Sequence, residues 1–442
     1  MIGPATMTPD QAVCARDRAV PGLAAVLDGD AFAELLRERL PDRAVDGSRP
    51  VYVRYKPGTS CLVLHEVASE GGVFHVYARA HARGQLAKAA KVRKRATARG
   101  ALGEDGLLVA SMLVAVYPFP NDRRLPGLTE LADCERRRPM LERLLPAHPR
   151  LVAAPMRTLS YKPERRLVSM LEAPSGERAV LRAYAGGFDR AAAAARELCS
   201  EGPLRVPRLL RGCADQRLLA LEWLPGAPLG QACFEQRAGA AETALAGAAL
   251  AALHRQDVPR LEPLGGGERA GAVLAAARFA EAVCPELDGR AVELAARAAE
   301  LAGQAPAACA VHGDFSPDQV LLDDRGVAVL DLDEARRGDP VADLASYAAA
   351  LELDCLRERL PAERAWALAT ALREGYASEA GALSGRMTTR SGTAVAAAPL
   401  GGSALAAALL RLAPEPFRRR DPDWPRLTHA LVERAGELLG RG

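Results

Sequence analysis

Lysine is scarce in this chain of 442 residues: Lys56, Lys88, Lys91, Lys94 and Lys162 are its five lysines among 58 basic residues. Beyond Lys162 every permanent cation is arginine, which cannot act as a neutral amine nucleophile. Lysine Schiff-base chemistry is therefore excluded from the rest of the chain. No run of 18 uninterrupted apolar residues occurs, so no membrane-spanning helix is expected. The nine cysteines are dispersed, odd in number and without a C-x-x-C pair, which argues against a disulfide framework or a zinc ribbon. The opening Met1-Ile2-Gly3-Pro4 lacks a basic start followed by an apolar stretch, so no secretory signal is expected. Together with reduced thiols, this makes the expected compartment the cytoplasm. A formal net charge of +3 is too small to argue for a nucleic-acid partner. What is present is ordinary globular material, 49% apolar and 26% charged, at a length that implies two or three domains.

The hydrophobic period changes along the chain. Asp30–Leu36 reads as helix, whereas Val51–Tyr55, Cys61–Val67 and Val73–Arg79 read as strands, the last two separated by the turn signal Ser69-Glu70-Gly71-Gly72. A basic helix carrying Lys88, Lys91, Arg93, Lys94, Arg95 and Arg99 follows, and its cations read as a solvated face. The apolar run Leu107–Tyr117 reads as one buried strand. The hairpin pattern then recurs: Tyr55-Lys56-Pro57 returns as Tyr161-Lys162-Pro163, and Glu66 and Glu172 each lie nine residues past the proline. Pro174-Ser175-Gly176 is the second turn, and Ala179–Tyr184 matches the strand around Arg79. A duplicated β-hairpin unit is expected. From about residue 187 the chain reads as helical over 188–200, 236–256, 268–282, 290–303, 362–380 and 403–412. Ser384–Ser403 reads as a mobile loop, and Leu412–Arg420 as the tail of the helical region. The fold class is α+β, with a cleft expected where the two parts join.

Residues 311–345 stand apart for their carboxylates. Val320–Leu322 and Val327–Leu330 are short apolar strands joined by Asp323-Asp324-Arg325-Gly326, a hairpin turn. Such a hairpin makes Gln319 and Asp331 neighbours, with Asp314 nearby in the preceding loop. Oxygen ligands converging in this way suit Mg²⁺.

The segment resembles the catalytic region of the aminoglycoside phosphotransferase/choline kinase family, relatives of the protein kinases. His312-Gly313-Asp314 and Gly338-Asp339-Pro340-Val341-Ala342-Asp343-Leu344-Ala345 match the family's motifs, and Asp331 lies eight residues before Asp339. The resemblance implies a bilobal protein-kinase-like fold with a small antiparallel β N-lobe and a helical C-lobe. It implies ATP and Mg²⁺ as cofactors, Asp314 as the catalytic carboxylate, and Gln319 and Asp331 as metal ligands. His312 would brace the loop and Asp343 would anchor it. Arg182 would contact the phosphates with Glu197 as its helix partner, and Lys162 is the candidate for the missing phosphate lysine. Leu219–Gly226, with Glu222 and Leu224, resembles the adenine-binding linker. The implied domains are an additional α+β domain over 1–150 resembling a partial N-lobe, the N-lobe over 151–226 and the C-lobe over 227–442.

Two positions depart from the family pattern. Gln319 replaces the metal-binding asparagine, and Arg182 replaces the phosphate-binding lysine. The added methylene displaces the Gln319 amide by about 1 Å, a misplacement that can cost about 100-fold in rate. Two functions follow as expectations. One is an ATP/Mg²⁺-dependent phosphotransferase acting on a hydroxyl of a small molecule or of a peptide, in antibiotic or natural-product type chemistry, with Ser/Thr of a precursor peptide as the alternative acceptor. The other is a pseudokinase-like scaffold that has lost turnover. The N-terminal domain is a candidate docking site for a protein partner.

Overall fold

The computed structural model describes residues 7–96, 98–100, 103, 105–125, 127–302, 309–384 and 401–440 of the chain, and the 385–400 part of the expected mobile loop lies outside them. The chain divides into two compact units. One comprises residues 1–186, 213–220 and 415–425, the other 187–212, 221–414 and 426–442.

The chain carries two five-stranded sheets, the first antiparallel throughout and wholly within the first unit. β1 (Val45–Lys56), β2 (Ser60–Ser69), β3 (Gly72–His81), β4 (Leu107–Val109) and β5 (Val114–Pro118) lie in the order β1-β2-β3-β5-β4. β6 (Met156–Lys162), β7 (Arg166–Glu172), β8 (Arg178–Tyr184), β9 (Leu209–Cys213) and β10 (Leu218–Glu222) lie in the order β6-β7-β8-β10-β9. The orders are the same. β2 is a nearly continuous apolar run, and Cys61, Leu62, Val63 and Leu64 are all buried in it. The repeated Tyr-Lys-Pro residues end the first strand of each sheet, where Lys56 pairs with Ser60 and Lys162 with Arg166 across turns of equal length.

Helices precede each sheet in the same way. Helix Gly29–Arg39 is capped by the Asp28 carboxylate, which accepts from the N–H groups of Asp30 and Ala31. Helix Cys134–Leu144 is capped by Asp133, which accepts from Glu135 and Arg136. The duplication therefore extends beyond the hairpin that the sequence motif marks.

Three expectations for this region change. Leu107–Tyr117 is a hairpin, because the 3₁₀ turn Ala110–Met112 and a left-handed Leu113 (φ 54°) reverse the chain between β4 and β5. The basic helix is two isolated turns, Leu86–Ala89 and Val92–Arg95. Like charges three and four residues apart oppose a continuous helix there. The segment after Leu412 is no tail of the helical region, since residues 415–425 belong to the first unit. Phe417 is buried with its ring 6.2 Å from Tyr55. Asp10 accepts from Trp424 Nε1 at 3.2 Å and pairs with Arg420.

The second unit is mainly helical. Its long helices are Ala240–His254, Gly266–Val283, Arg290–Ala302, Val341–Leu356, Ala362–Ser384 and Gly402–Leu412, with most of Trp424–Gly440. Ala240–His254 and Ala362–Ser384 touch backbone to backbone. A Cβ on Gly247 would lie 2.0 Å from the Leu372 carbonyl oxygen, and one on Gly375 would lie 1.9 Å from that of Ala244. The remaining strands are β11 (Ala227–Pro228), β12 (Cys309–Val311), β13 (Val320–Asp323), β14 (Gly326–Val329) and β15 (Arg336–Gly338). They form the sheets β11-β13-β14 and β12-β15, which frame the loop carrying Asp314. Among the described residues no helix is long and apolar enough to cross a membrane.

Candidate active site

The loop after β12 is fastened by one buried carboxylate. Asp343, near the start of helix Val341–Leu356, is 1% exposed. It accepts from the His312 N–H at 2.6 Å, the Gly313 N–H at 2.9 Å and His254 Nε2 at 3.0 Å. Burial raises the cost of its charge, but His254, His312 and the donated N–H groups outweigh that, and its pKa lies below the ordinary carboxylate value. With Nε2 donating to Asp343, His254 Nδ1 accepts from the Tyr376 hydroxyl at 3.0 Å. Gly313 is left-handed (φ +85°), and a Cβ there would lie 2.6 Å from the Glu334 carbonyl oxygen. Only glycine fits without displacement.

His312 ties this loop to the following hairpin. Its Nε2 donates to the Leu330 carbonyl at 2.7 Å, and its Nδ1 accepts the Asp314 N–H at 3.3 Å. The Leu330 N–H in turn donates to the Gln319 carbonyl at 2.8 Å. The hairpin β13–β14 thus brings the backbones of Gln319 and Asp331 together, as the spacing predicts. Gln319 ends the 3₁₀ turn Pro317–Gln319, and Asp331 heads the turn Leu332–Glu334 in a left-handed conformation (φ 61°). Both are half-buried.

Asp314 is the exposed carboxylate of the group, its side chain 65% accessible. Arg411, from helix Gly402–Leu412, lies 3.7 Å away. The same guanidinium donates to the Gly313 carbonyl at 3.1 Å and to Ser346 Oγ at 3.0 Å, so it steadies the loop from behind the acid. Sequence reasoning missed Arg411, a single arginine in an alanine- and leucine-rich helix. Glu197 ends helix Phe188–Glu197; it accepts the Arg260 N–H at 3.3 Å and lies 3.7 Å from Arg260 Nε. Arg190 of that helix pairs with Glu334 at 2.6 Å, past Asp331 on the same turn. Glu222 exchanges backbone and side-chain bonds with Arg208, at 2.9 and 3.3 Å, and Leu224 is half-buried just beyond.

Arg182 and Lys162 belong to the first unit, on β8 and β6. Burial, reinforced by Arg166, Arg419 and Arg165, pushes the Lys162 pKa down. The β6–β7 turn beside it holds a second residue that sequence reasoning missed. Glu164, left-handed with φ 56°, has a fully buried side chain that contacts Arg54 at 2.9 Å, Arg79 at 2.7 Å and Arg123 at 2.9 Å. Burial opposes its ionisation, and the guanidiniums of Arg79, Arg123 and Arg54 more than offset this, holding its pKa below the usual range. A signal was available: Asp17-Arg18-Ala19-Val20-Pro21-Gly22-Leu23 recurs as Asp122-Arg123-Arg124-Leu125-Pro126-Gly127-Leu128. It marks the start of the repeat and leads to the turn that Glu164 occupies.

The model of the phosphotransferase enzyme family matches residues 164–387, half of the chain. A search of curated proteins returned no match. Among solved structures, choline kinase from Cryptosporidium parvum is 12% identical with a TM-score of 0.49, over 70% of this chain and 96% of that one. A macrolide 2'-phosphotransferase from Brachybacterium faecium is 20% identical with a TM-score of 0.39, over 66% of this chain and 97% of that one. A glucosamine kinase is 16% identical with a TM-score of 0.45, over 93% of this chain and 99% of that one. With a family match of that extent across the loop that Asp343 anchors, the chain belongs to the phosphotransferase enzyme family and is a kinase-type enzyme of protein-kinase-like fold.

Proposed function

We propose that the protein transfers the γ-phosphoryl group of ATP to a hydroxyl group of a small molecule or peptide. The observation that carries this reading is the loop His312–Asp314: a buried Asp343 fixes its backbone, and an exposed Asp314 carboxylate stands at its tip. In the transfer, the acceptor oxygen bonds to the γ-phosphorus, the bond from phosphorus to the β-bridging oxygen breaks, and the hydroxyl proton passes to Asp314. Asp331 and Gln319 offer a carboxylate and an amide oxygen, a hard donor set that fits Mg²⁺, which would neutralise phosphate charge. Arg182 and Lys162 are the proposed phosphate cations, Glu197 the helix carboxylate of the family pattern, and Glu222–Leu224 the adenine edge. Arginine retains the charge of the family's lysine and adds bidentate geometry.

In the proposed division, residues 1–150 are an additional lobe-like domain, 151–226 the nucleotide lobe and 227–442 the helical lobe. The common strand order of the two sheets supports the reading of the first domain as a copy, and the Asp17/Asp122 motif favours a second copy that starts near residue 122, ahead of the proposed boundary at 150. The proposed site of action is the cytoplasm. Ser/Thr of a precursor peptide is the acceptor to try first after antibiotic-type alcohols, with the N-terminal domain as the docking surface.

The test is nucleotide-induced thermal stabilisation with and without Mg²⁺, followed by phosphate transfer to a panel of alcohols and Ser/Thr peptides. Mg²⁺-dependent binding with transfer that Asp314→Asn abolishes supports the proposal. Binding with neither transfer nor ATP hydrolysis would overturn it in favour of a pseudokinase, the reading that Gln319 and Arg182 favour.

A further inference from the structure

The two repeats can be aligned residue by residue. In the ladders, Arg79 lies opposite Leu62 and Arg182 opposite Val168, and both registers count back to the same hairpin ends, Lys56–Ser60 and Lys162–Arg166. Asp17 Oδ2 accepts from the Tyr55 hydroxyl at 2.7 Å and the Gly58 N–H at 2.8 Å. Asp122 Oδ2 accepts from the Tyr161 hydroxyl and the Glu164 N–H, both at 2.8 Å. Arg79 is therefore the first repeat's counterpart of Arg182, and Gly58 the counterpart of Glu164.

The turns differ in what they carry. Gly58 and Glu164 are both left-handed, at φ 66° and 56°. Glycine adopts this conformation freely, and glutamate does so only where its surroundings over-determine it. A Cβ on Gly58 would meet nothing within 4 Å, whereas the Glu164 carboxylate is enclosed by arginines from β1, from β3 and from the segment after β5. Arg54, Arg79 and Arg123 bring three positive charges to one carboxylate, and their side chains are only 24%, 15% and 19% exposed. That surplus suits an oxyanion of higher charge than a carboxylate, since guanidinium forks match its oxygens in pairs. We infer that Arg54, Arg79 and Arg123 form an oxyanion-binding cradle in the first repeat, and that the chain fills it with Glu164, closing that repeat to nucleotide and tethering the β6–β7 turn of the second.

The counterpart role of Arg182 rests on the proposed function; the cradle itself does not. The probe is inorganic sulfate, compared with sodium chloride at matched ionic strength and read as a thermal melting shift. Wild type should show no sulfate-specific shift. Glu164→Ala should melt lower, gain a sulfate-specific rise, and lose that rise when Arg79→Ala is added. A rise of equal size in wild type, or one that persists without Arg79, overturns the cradle. Should Glu164→Ala fail to fold, Glu164→Gln keeps the volume and removes the charge. It should speed hydrogen exchange at the Arg165 N–H, which bonds the Lys162 carbonyl at 3.0 Å across the turn. Unchanged exchange and melting in Glu164→Gln overturn the tether. Calorimetry with ATP and Mg²⁺ should give one nucleotide per chain. Two would overturn closure of the first repeat, whereas none would remove the kinase reading and leave the sulfate result standing.

Discussion

His254 and Asp343 sit on different helices of the second unit, and a 3.0 Å hydrogen bond between them is buried with 4% and 1% of the two side chains exposed. Because Asp343 also takes the N–H groups of His312 and Gly313, its removal leaves those donors without an acceptor inside the protein. Asp343→Ala should cost about 3–5 kcal/mol of stability, as breaking a buried hydrogen-bonded charge does. Denaturant titration measures it. A loss under about 1 kcal/mol would mean that water replaces the carboxylate and that the loop is not held as described.

Chemistry and binding should separate at the loop. Asp314→Asn keeps the shape and removes the proton acceptor, so turnover should fall by about 100-fold or more with nucleotide affinity nearly unchanged. Asp331→Asn should weaken Mg²⁺-nucleotide binding as well as rate. Gln319→Asn should lower activity where the backbone is fitted to glutamine, and raise it if the chain is a decayed kinase. Steady-state kinetics and calorimetry on the three variants distinguish these outcomes.

Gly313→Ala combines a left-handed backbone with a Cβ aimed at the Glu334 carbonyl oxygen. A strained non-glycine residue costs about 1–3 kcal/mol before the clash is counted. The loop should shift, and kcat should fall more than melting temperature does. Equal activity of variant and wild type would show that the loop tolerates displacement.

Across the repeats, Arg182→Ala should weaken ATP binding, whereas Lys56→Ala, at the hairpin end of the first copy, should not. Equal losses, measured by thermal shift with ATP, would place the nucleotide in the wrong repeat.

Acid should destabilise the first unit well above the carboxylate range. Burial holds the His65 imidazole near about 3, down from 6.5; a bond to the Val26 carbonyl opposes the shift and Arg420 adds to it. The folded ring stays neutral while the unfolded one takes a proton below pH 6.5. Its contribution is therefore complete above that pH and is lost as pH falls toward about 3, at about 1.4 kcal/mol per unit in mid-window. Urea midpoints measured between about pH 7 and pH 4 should show this slope. His65→Gln should flatten it; an unchanged slope would assign the effect to other groups, His81 among them, whose pKa burial also lowers.

Where a local pattern set the structure, the sequence was readable. The Tyr-Lys-Pro pair located two hairpins, because strand ends and turn residues are local matters. The spacing of Gln319 and Asp331 located the β13–β14 hairpin that brings their backbones together, for the same reason. Leu107–Tyr117 misled because Leu113 is a left-handed residue with no glycine or asparagine to announce it. Nothing in the local sequence shows that at Gly247 and Gly375 one backbone touches another. Glu164 went unread, since its partners are Arg54, Arg79 and Arg123, far away along the chain. The destination of Phe417 and Trp424 depended on a surface that no nearby residue encodes.

Residues 415–425 have a consequence for the order in which the molecule can be made. They complete a unit whose other parts are residues 1–186 and 213–220, so the ribosome finishes most of that unit long before it supplies the last piece. At roughly 5–20 residues per second, the nascent first unit waits on the order of ten seconds or more with the seats of Phe417 and Trp424 bare. Its folding is therefore completed only by a segment translated late, and a transcript cut short just before Glu415 would leave both units defective at once.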